Sequence, residues 1–293
     1  MLPEWLQIVA WSSRTYQRRF GKWPNLIRPQ SFNEMIQRRK VLDRDPRLPM
    51  LADKVKSKDY VSDKLGAAWI IPTLWSGRRL PPLPERNWPI PFVIKMNNGC
   101  GWNIFVRSQA DCNWAEIEKR CATWMAKTYG MHTGEWLYRR IDPQILIEPF
   151  MSFDQRLPLD YKFWTFHGRV EVIHVVTDRE DDEKQAFFDR DWNRLACGQG
   201  FAVEHRHIPK PASLDDMIRG AEALAADIPF VRVDFYELAG QPLFGEMTFY
   251  PGSGLNSIEP ADFDRWLLEL WRGNRQVGLS PVPIPADPRA GSF

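Results

Sequence analysis

Polar and apolar side chains alternate most clearly in residues 230–250, on either side of a glycine turn. Val231 and Val233 fall on one side of an extended chain, whereas Arg232 and Asp234 fall on the other. The alternation resumes beyond the turn. It predicts a β-hairpin with one apolar face and one polar face.

The polar face of this hairpin carries a candidate cation site. With a turn of odd length centred on Gly240, Asp234 lies opposite Glu246 and Arg232 lies opposite Thr248. Two opposed carboxylates repel each other unless a positive group lies between them. Arg232 could be that group in an ordinary hairpin with a solvated polar face. The alternative is Mg²⁺, which usually takes one or two carboxylates and therefore requires a phosphate site elsewhere in the chain.

The rest of the pattern alternates helices with short strands. Helices are predicted over residues 1–40, 47–67 with Gly66 as C-cap, 113–129, 213–226 with Ser213 as N-cap, and 261–271. Strands are predicted over residues 68–75 and 145–151, two strand segments around a glycine turn over 91–108, a hairpin over 159–179, and a further strand or turn over 186–192. This order of hairpins and helices predicts an α+β fold of two lobes with antiparallel sheets, and ligands commonly bind in the cleft between such lobes.

The chain is predicted to divide into four parts. A helical N-terminal segment over residues 1–50 precedes a first lobe over 51–147, a second lobe over 148–275 and a proline-rich tail over 276–293. The N-terminal helix is basic and amphipathic. It either lies on an anionic membrane surface or packs against the body of the protein, and packing is the favoured interpretation.

Charge and cysteine content narrow the function classes. The formal net charge is +2 and the pI is about 8.3, which argues against a nucleic-acid-binding protein but remains compatible with acidic ligands such as nucleotides. No apolar run approaches the ~18 residues of a membrane span, and the N-terminus lacks the pattern of a signal peptide. The four cysteines have no metal-finger spacing and are expected to be reduced thiols. A cytoplasmic protein is predicted.

A candidate phosphate site follows a second strand. Lys95 stands directly before the sequence NNGCGWN, whose turn contains Asn98, Gly99 and Gly101. A lysine at the end of a strand can bring its ammonium group to a phosphate, while the N–H groups of a flexible turn bind the same anion. An ordinary β-turn is the alternative interpretation.

Two further residues have weaker signals. Lys54 belongs to a lysine-rich predicted helix, so a solvated helix face is the simpler interpretation. Glu148 precedes Pro149, which interrupts sheet pairing and can leave backbone groups free for an adenine edge. The alternative is an exposed glutamate at the end of an edge strand.

Taken in order, these motifs resemble the ATP-grasp superfamily, and most closely its teichuronopeptide-biosynthesis (TupA-like) branch. The resemblance extends from about Ser31 to Trp271. The motifs are ADK at 52–54, FVIKMNNGCGWN at 92–103, ILIEPF at 145–150, DYKFWTFHG at 160–168 and VRVDFYELAGQPLFGEMTFYPGSG at 231–254.

The resemblance implies an ATP-grasp fold that holds ATP between two α+β lobes. It further implies that the γ-phosphate passes to a carboxylate and that an amine attacks the resulting acyl phosphate. The implied nucleotide contacts are Lys54, Lys95, the turn residues Asn98, Gly99 and Gly101, Glu148 near the adenine or ribose, and Lys162. The implied metal ligands are Asp234 and Glu246, with Thr248 where many superfamily members carry asparagine.

The predicted function is an ATP- and Mg²⁺-dependent carboxylate–amine ligase acting on a cell-surface polysaccharide or its precursor. Arg232 and Lys95 are the expected catalytic residues, because phosphoryl transfer depends on positioning and on neutralising charge around the γ-phosphate. Two alternatives are an ATP-dependent sugar kinase on the same fold and a non-catalytic carbohydrate-binding protein. Cys100, in the glycine turn, is expected to be a small residue near the phosphates and not a nucleophile.

Overall fold

The computed structural model of the protein describes residues 3–152 and 157–275, so the predicted proline-rich tail lies outside the described residues. The helices found there are α1 (Glu4–Phe20), α2 (Phe32–Leu42), α3 (Leu48–Ala52), α4 (Ser57–Leu65), α5 (Trp114–Met125), α6 (Leu214–Ala225) and α7 (Ala261–Trp271). The strands are β1 (Trp75–Gly77), β2 (Phe92–Met96), β3 (Asn103–Val106), β4 (Ile145–Pro149), β5 (Asp160–Phe166), β6 (Arg169–Thr177), β7 (Lys184–Phe188), β8 (Arg194–Leu195), β9 (Gly198–Gln199), β10 (Ala202–Val203), β11 (Phe230–Leu238), β12 (Gln241–Thr248) and β13 (Ile258–Glu259).

The first sheet has four strands in the order β1, β4, β2, β3, and all of its pairs are antiparallel. Its apolar core contains Phe92 and Ile94 of β2 together with Ile117 and Trp124 of α5. The amphipathic helix α5 therefore supplies the apolar surface that this small sheet needs. The predicted lobe boundary at residue 147 falls inside β4, and the division into lobes stays a prediction.

The second sheet is larger and has the order β10, β7, β6, β5, β11, β12, with β8 paired to β7. Its pairs are antiparallel except for β10 with β7. Helix α6 packs against β5, β6 and β11, so the helix lies over the centre of the sheet. Strands β9 and β13 form a separate two-stranded ladder. The predicted α+β fold with antiparallel sheets is confirmed.

Helix α1 packs against α2 and against a 3₁₀ turn at Met131–Thr133. The packing buries Ile8, Ser12 and Tyr16. The helix thus packs on the body of the protein, as the favoured interpretation predicted. Within the described residues no helix is both long enough and apolar enough to span a membrane.

The predicted helix over residues 1–40 divides into α1 and α2, with no helix over 21–31. One predicted strand is wrong. Residues 68–75 do not form a strand: they begin with a 3₁₀ turn at Ala67–Trp69, and only Trp75 enters β1. Pro72 cannot donate to a ladder, and Trp69 packs on Phe235, so tertiary packing overrides the apolar pattern. Ser213 is the N-cap residue of α6 but does not cap it with its side chain, which instead donates to Glu237 Oε2 at 2.7 Å.

The predicted helix over 47–67 is interrupted, and the interruption affects the site. It divides into α3 and α4, with Gly66 ending α4 as predicted. Between them the Asp53 carboxylate accepts hydrogen bonds from Val55 N at 2.9 Å and from Asn97 Nδ2 at 3.0 Å. A buried carboxylate bound in this way favours a turn over a continuous helix. Lys54 is therefore outside both helices.

Candidate active site

The hairpin β11–β12 pairs Asp234 with Glu246 and Arg232 with Thr248, as predicted from the alternation. The turn that produces this register differs from the predicted turn of odd length. The turn has an even length, with positive φ at both Ala239 (50°) and Gly240 (76°), as in the tight turns that suit twisted hairpins. A bulge in β12 then adds one residue and restores the predicted pairing.

Gly245 is the extra residue of the bulge, between Phe244 and Glu246 in the register. A β-carbon at Gly245 would lie 3.1 Å from the carbonyl oxygen of Asp234, which is closer than ordinary van der Waals contact. Glycine at this position therefore allows the two strands to approach where the candidate metal ligands meet.

Arg232 bridges the polar face of the hairpin. It donates to Asp234 through Nε at 2.7 Å and through Nη2 at 2.6 Å, a bidentate arrangement. Its Nη2 also donates to Thr248 Oγ1 at 3.1 Å and lies 3.6 Å from Glu246 Oε1. Arg232 therefore compensates the carboxylates in the way that the ordinary-hairpin interpretation requires, and it shares this role with lysines from elsewhere in the chain.

Lys162 reaches the same carboxylates from β5. The register places it opposite Asp234, and its Nζ lies 3.0 Å from Asp234 Oδ2 and 2.5 Å from Asp160 Oδ2. Burial opposes the ammonium charge, but the two carboxylates outweigh it and raise the pKa of Lys162. Burial raises the pKa of Asp160, but Lys162, Arg179 and Arg232 outweigh it and lower that pKa to about 2.

Asp160 is a site residue that the sequence prediction missed. The signal that could have found it is the spacing of Asp160 and Lys162, which places both side chains on one face of β5. Its Oδ1 atom is buried and has no hydrogen-bond partner among the described residues.

Lys54 reaches the hairpin from the turn between α3 and α4. Its backbone N–H donates to Asn97 O at 3.0 Å, and its Nζ donates to Gly99 O at 2.7 Å and lies 2.9 Å from Glu246 Oε2. The interpretation of Lys54 as part of a solvated helix face is therefore wrong. Burial raises the pKa of Glu246, but Lys54, Arg232 and Lys162 together lower it to about 2.

Lys95 and Glu148 lie on neighbouring strands and form an ion pair. Lys95 Nζ lies 2.8 Å from Glu148 Oε2, and Lys58 Nζ lies 2.5 Å from Glu148 Oε1. Burial acts against the charge of Lys95, but Glu148 outweighs it and raises the pKa of Lys95. The Glu148 carboxylate is thus occupied in holding two lysines, and its predicted contact with adenine or ribose stays a prediction.

The glycine turn lies next to Lys95. Gly99 has φ of 100° and Gly101 has φ of 75°, values that side chains rarely adopt. A β-carbon at Gly99 would also lie 2.5 Å from the ring of Tyr129. The turn is therefore tightly packed on one side by Tyr129 and open to the cavity on the other.

A cavity of about 340 Å³ brings most of these residues together. Its volume is within the range of about 300–1,000 Å³ typical of ligand sites. The predicted site residues that line it are Lys54, Lys95, Gly99, Gly101, Lys162, Arg232, Asp234 and Glu246. Among the described residues, the other three predicted site residues do not line the cavity. Glu148 and Asn98 are buried. Thr248 accepts a hydrogen bond from Arg232 and donates one to Glu246.

The oxygen atoms that the hairpin could offer to a metal ion suit Mg²⁺. They are hard oxygen atoms: two carboxylates on paired residues, and the hydroxyl of Thr248, which lies 3.2 Å from Glu246 Oε1. The described residues contain no cluster of three His, Cys, Asp or Glu side chains suited to a metal. A smaller protein set is nevertheless usual for Mg²⁺, which completes its coordination with water and substrate phosphates.

A family model for TupA-like ATP-grasp proteins matches residues 34–272. The chain belongs to the TupA-like ATP-grasp family. The match begins near the start of α2 and ends just beyond α7, so it includes both sheets and every predicted site residue. The resemblance read from the motifs is confirmed. The search of curated proteins found no match to this TupA-like chain.

Solved structures with a similar fold include several ATP-grasp ligases. The D-alanine–D-alanine ligase of Bacillus anthracis has 15% identity and a TM-score of 0.47, over 77% of this chain and 67% of that one. The D-alanine–D-alanine ligase of Helicobacter pylori has 15% identity and a TM-score of 0.42, over 80% and 60%. PsnB, solved with a minimal precursor, has 10% identity and a TM-score of 0.44, over 78% and 62%. The TupA-like chain thus spans between 60% and 67% of the length of these ligases.

Proposed function

We propose that the protein is an ATP- and Mg²⁺-dependent carboxylate–amine ligase that forms an amide through an acyl phosphate. The observation that carries this proposal is the convergence of Lys95 and Lys54 with Asp234 and Glu246 on one cavity between the two sheets. Lysines that can contact phosphates, together with carboxylates that can hold a metal ion, are the groups that a nucleoside triphosphate and its metal require.

The charge of the cavity supports this assignment. Among its described lining residues are the cations Lys54, Lys95, Lys162, Arg179 and Arg232, and the anions Asp160, Glu183, Asp234 and Glu246. The side-chain charges are therefore nearly balanced, and Asp160, Asp234 and Glu246 already form ion pairs with lysine or arginine. A bound Mg²⁺ would supply the further positive charge that a triphosphate needs, with Asp234 and Glu246 as its ligands and the Thr248 hydroxyl as the third oxygen of the predicted set.

The proposed reaction has two steps, phosphoryl transfer and amide formation. A substrate carboxylate oxygen attacks the γ-phosphorus of ATP, the bond to the β,γ-bridging oxygen breaks, and ADP leaves. The amine nitrogen then attacks the acyl carbon, inorganic phosphate leaves with the former carboxylate oxygen, and the nitrogen loses a proton. Arg232 and Lys95 neutralise the phosphoryl group in transfer, and preorganised cations in a closed site are effective in this role. No nucleophilic side chain is needed, and Cys100 has no part in these steps.

We propose that the substrate carboxylate is part of a cell-surface polysaccharide or its precursor, as the family resemblance implies. The test measures ADP release with Mg·ATP in a matrix of sugar acids and amino acids, and traps the activated acid with hydroxylamine. An acyl phosphate yields a hydroxamate. ADP release without hydroxamate indicates a kinase acting on a sugar hydroxyl and contradicts the ligase.

Two variants test whether ATP turnover depends on the assigned site residues. Lys95→Ala and Asp234→Asn are expected to reduce ADP release at least ~100-fold, an effect of the size that losing one electrostatic contact in an active site produces. Lys119→Ala on the exposed face of α5 is the control and is expected to retain full activity. Circular dichroism checks that each variant is folded. Wild-type turnover by either site variant would contradict the site assignment.

A further inference from the structure

The turn that follows α1 exposes two large apolar side chains. In the described part of the chain, Trp23 is 64% exposed and Ile27 is 83% exposed. Asn25 closes the turn, because its Oδ1 accepts hydrogen bonds from Ile27 N at 3.2 Å and from Arg28 N at 2.9 Å. Trp23 and Ile27 are four residues apart in sequence, so their Cα atoms are at most about 14 Å apart. The two side chains therefore belong to one small area of the surface.

Arg38 of α2 connects this turn to a third exposed apolar residue. Its Nη1 donates to Ile27 O at 3.0 Å. Leu42, which is 59% exposed, follows Arg38 by four residues in α2, and residues at that spacing are neighbours on a helix surface. We call Trp23, Ile27 and Leu42 the apolar tip. Apolar side chains scattered singly are normal on a protein surface, whereas grouped ones indicate an interaction site.

Basic side chains surround the apolar tip. Lys22 and Arg28 flank the turn, and Arg38 contacts it. Arg14 and Arg18 are exposed and lie about one helical turn apart on α1, before the turn. The ion pairs formed between described residues include none of these five cations. Their charges are therefore available to an external anion.

Three acidic side chains lie beside the tip, and each is buried or paired. Glu34 is 3% exposed, and Asp43 forms an ion pair with Arg39. Asp264 is half-buried, and burial raises its pKa against the opposing effect of Lys22. The exposed charge around the tip is therefore predominantly positive.

We propose that the apolar tip inserts into the surface of an anionic lipid bilayer, while the surrounding lysine and arginine side chains contact the lipid head groups. Tryptophan and aliphatic side chains beside basic ones suit the boundary between head groups and acyl chains. A polyanion such as nucleic acid would use the charge but leave the apolar side chains in water. A protein interface of standard size needs about 20–30 residues on each side. A bilayer is the partner that uses both features of this surface.

This contact differs from the membrane-bound α1 considered in the sequence analysis. Ile8, Ser12 and Tyr16 of α1 are buried against the body, so that face of the helix is not available to lipid. The contact is made instead by the turn beyond the helix. Trp23 and Ile27 also precede the residues that the family model matches, which begin at 34. The proposal does not depend on the ligase function.

Vesicle flotation tests the proposal on the wild-type protein. The vesicles contain phosphatidylcholine alone, or phosphatidylcholine with an equal amount of phosphatidylglycerol. Binding to the mixed vesicles is expected to be about tenfold tighter or more, because each basic side chain near the surface adds to the attraction. Added salt is expected to weaken this binding, since it screens exposed charges. Equal binding to both kinds of vesicle, or no binding to either, would overturn the proposal.

Variants separate the apolar and the basic contributions. A protein with Trp23→Ser and Ile27→Ser is expected to bind the mixed vesicles about tenfold more weakly or worse, because two apolar side chains no longer leave water. Leu83→Ser, at a residue that is 59% exposed in the connection between β1 and β2, is the matched control and is expected to bind as wild type. Lys22→Gln is expected to weaken binding severalfold, whereas Lys119→Gln on α5 is not.

Circular dichroism checks that each variant is folded. Unchanged vesicle binding by the double variant would overturn the role of the apolar tip. Two other partners are tested alongside. Binding to single-stranded DNA without binding to vesicles would assign the basic surface to a polyanion. A wild-type dimer that the double variant converts to a monomer, again without vesicle binding, would assign the tip to a second copy of the chain. Either result rejects the bilayer.

Discussion

Asp264 is a single carboxylate whose ionisation opposes folding. It accepts a hydrogen bond from Phe32 N at 2.9 Å, at the start of α2. A negative charge at a helix N-terminus is normally favourable, and the hydrogen bond adds to that preference. Burial outweighs both effects and, with the nearby Glu34, raises the pKa of Asp264 to about 6.

Asp264→Asn is therefore expected to stabilise the protein at neutral pH. The folded-state pKa of about 6 is above the ordinary value of 3.8, so the folded state retains a proton that the unfolded state loses. The stabilising contribution of the protonated group is present below pH 3.8 and is lost as the pH rises through 6. Asparagine keeps the carbonyl acceptor and removes the charge. The expected gain above pH 6 is about 1–3 kcal/mol in the free energy of unfolding.

Denaturant unfolding between pH 3.5 and 8 measures this effect. Asp262→Asn controls for the loss of a negative charge, because Asp262 is exposed and lies with Asp264 in the first turn of α7. An Asp264→Asn protein whose stability relative to wild type does not change across this pH range would contradict the burial argument.

Single residues also show what the sequence could predict. Lys95, Asp234 and Glu246 were correctly placed, because strand alternation assigns each side chain to one face. For Lys54 the local pattern favours a solvated helix face, and the structure contradicts that alternative, because the exit of Lys54 from the helix depends on the contact of Asp53 with Asn97, which is distant in sequence. The position of Glu148 relative to the cavity likewise depends on Lys58, 90 residues away. Local patterns contain no information about such partners.

The hairpin β11–β12 is the element on which the site depends, and its register results from two compensating features. The even turn at Ala239–Gly240 alone would pair Asp234 with Gly245, and the bulge at Gly245 moves Glu246 into that position. Because side chains alternate along a strand, a change of one residue would turn Glu246 away from Asp234. The sequence analysis predicts the pairing from a turn of odd length, whereas the structure reaches it through an even turn and the bulge. Gly245 is the sequence signal for that bulge, because a glycine inside a strand often marks one.

Gly245→Ala is expected to disturb this element. Its β-carbon would lie 3.1 Å from Asp234 O, so the strands must separate slightly at the carboxylates. We expect a loss of about 1–2 kcal/mol in unfolding free energy, as for other overpacked positions, and weaker binding of Mg·ATP. The matched control is Gly198→Ala, whose β-carbon would have no neighbour nearer than 3.7 Å. Chemical denaturation and calorimetric titration measure the two effects, and a Gly245→Ala protein identical to Gly198→Ala in both would contradict the role of the bulge.

At the scale of the whole molecule, the cavity exists because two separate sheets face each other across it. The first sheet contributes Lys95 and the glycine turn, and the second contributes Lys162, Arg232 and Asp234. Lys54 joins the two, since it contacts Gly99 on one side and Glu246 on the other. The order of elements predicted these two sheets, but their distance and orientation depend on contacts that no local pattern specifies.

Binding of a nucleotide between the sheets should therefore slow amide hydrogen exchange in both sheets. Hydrogen exchange is measured by mass spectrometry with and without Mg·AMP-PNP, a non-hydrolysable ATP analogue. At short exchange times, slower exchange is expected in the glycine turn over residues 98–102 and in β12 around Glu246, because ligand contact suppresses local opening. Helix α7, which lies outside the lining of the cavity, serves as the internal reference. Asp234→Asn is expected to remove the protection at both places together, because the metal joins the nucleotide to the hairpin. Protection confined to one sheet, or equal protection in the variant, would show that the nucleotide does not bind between the sheets through this carboxylate.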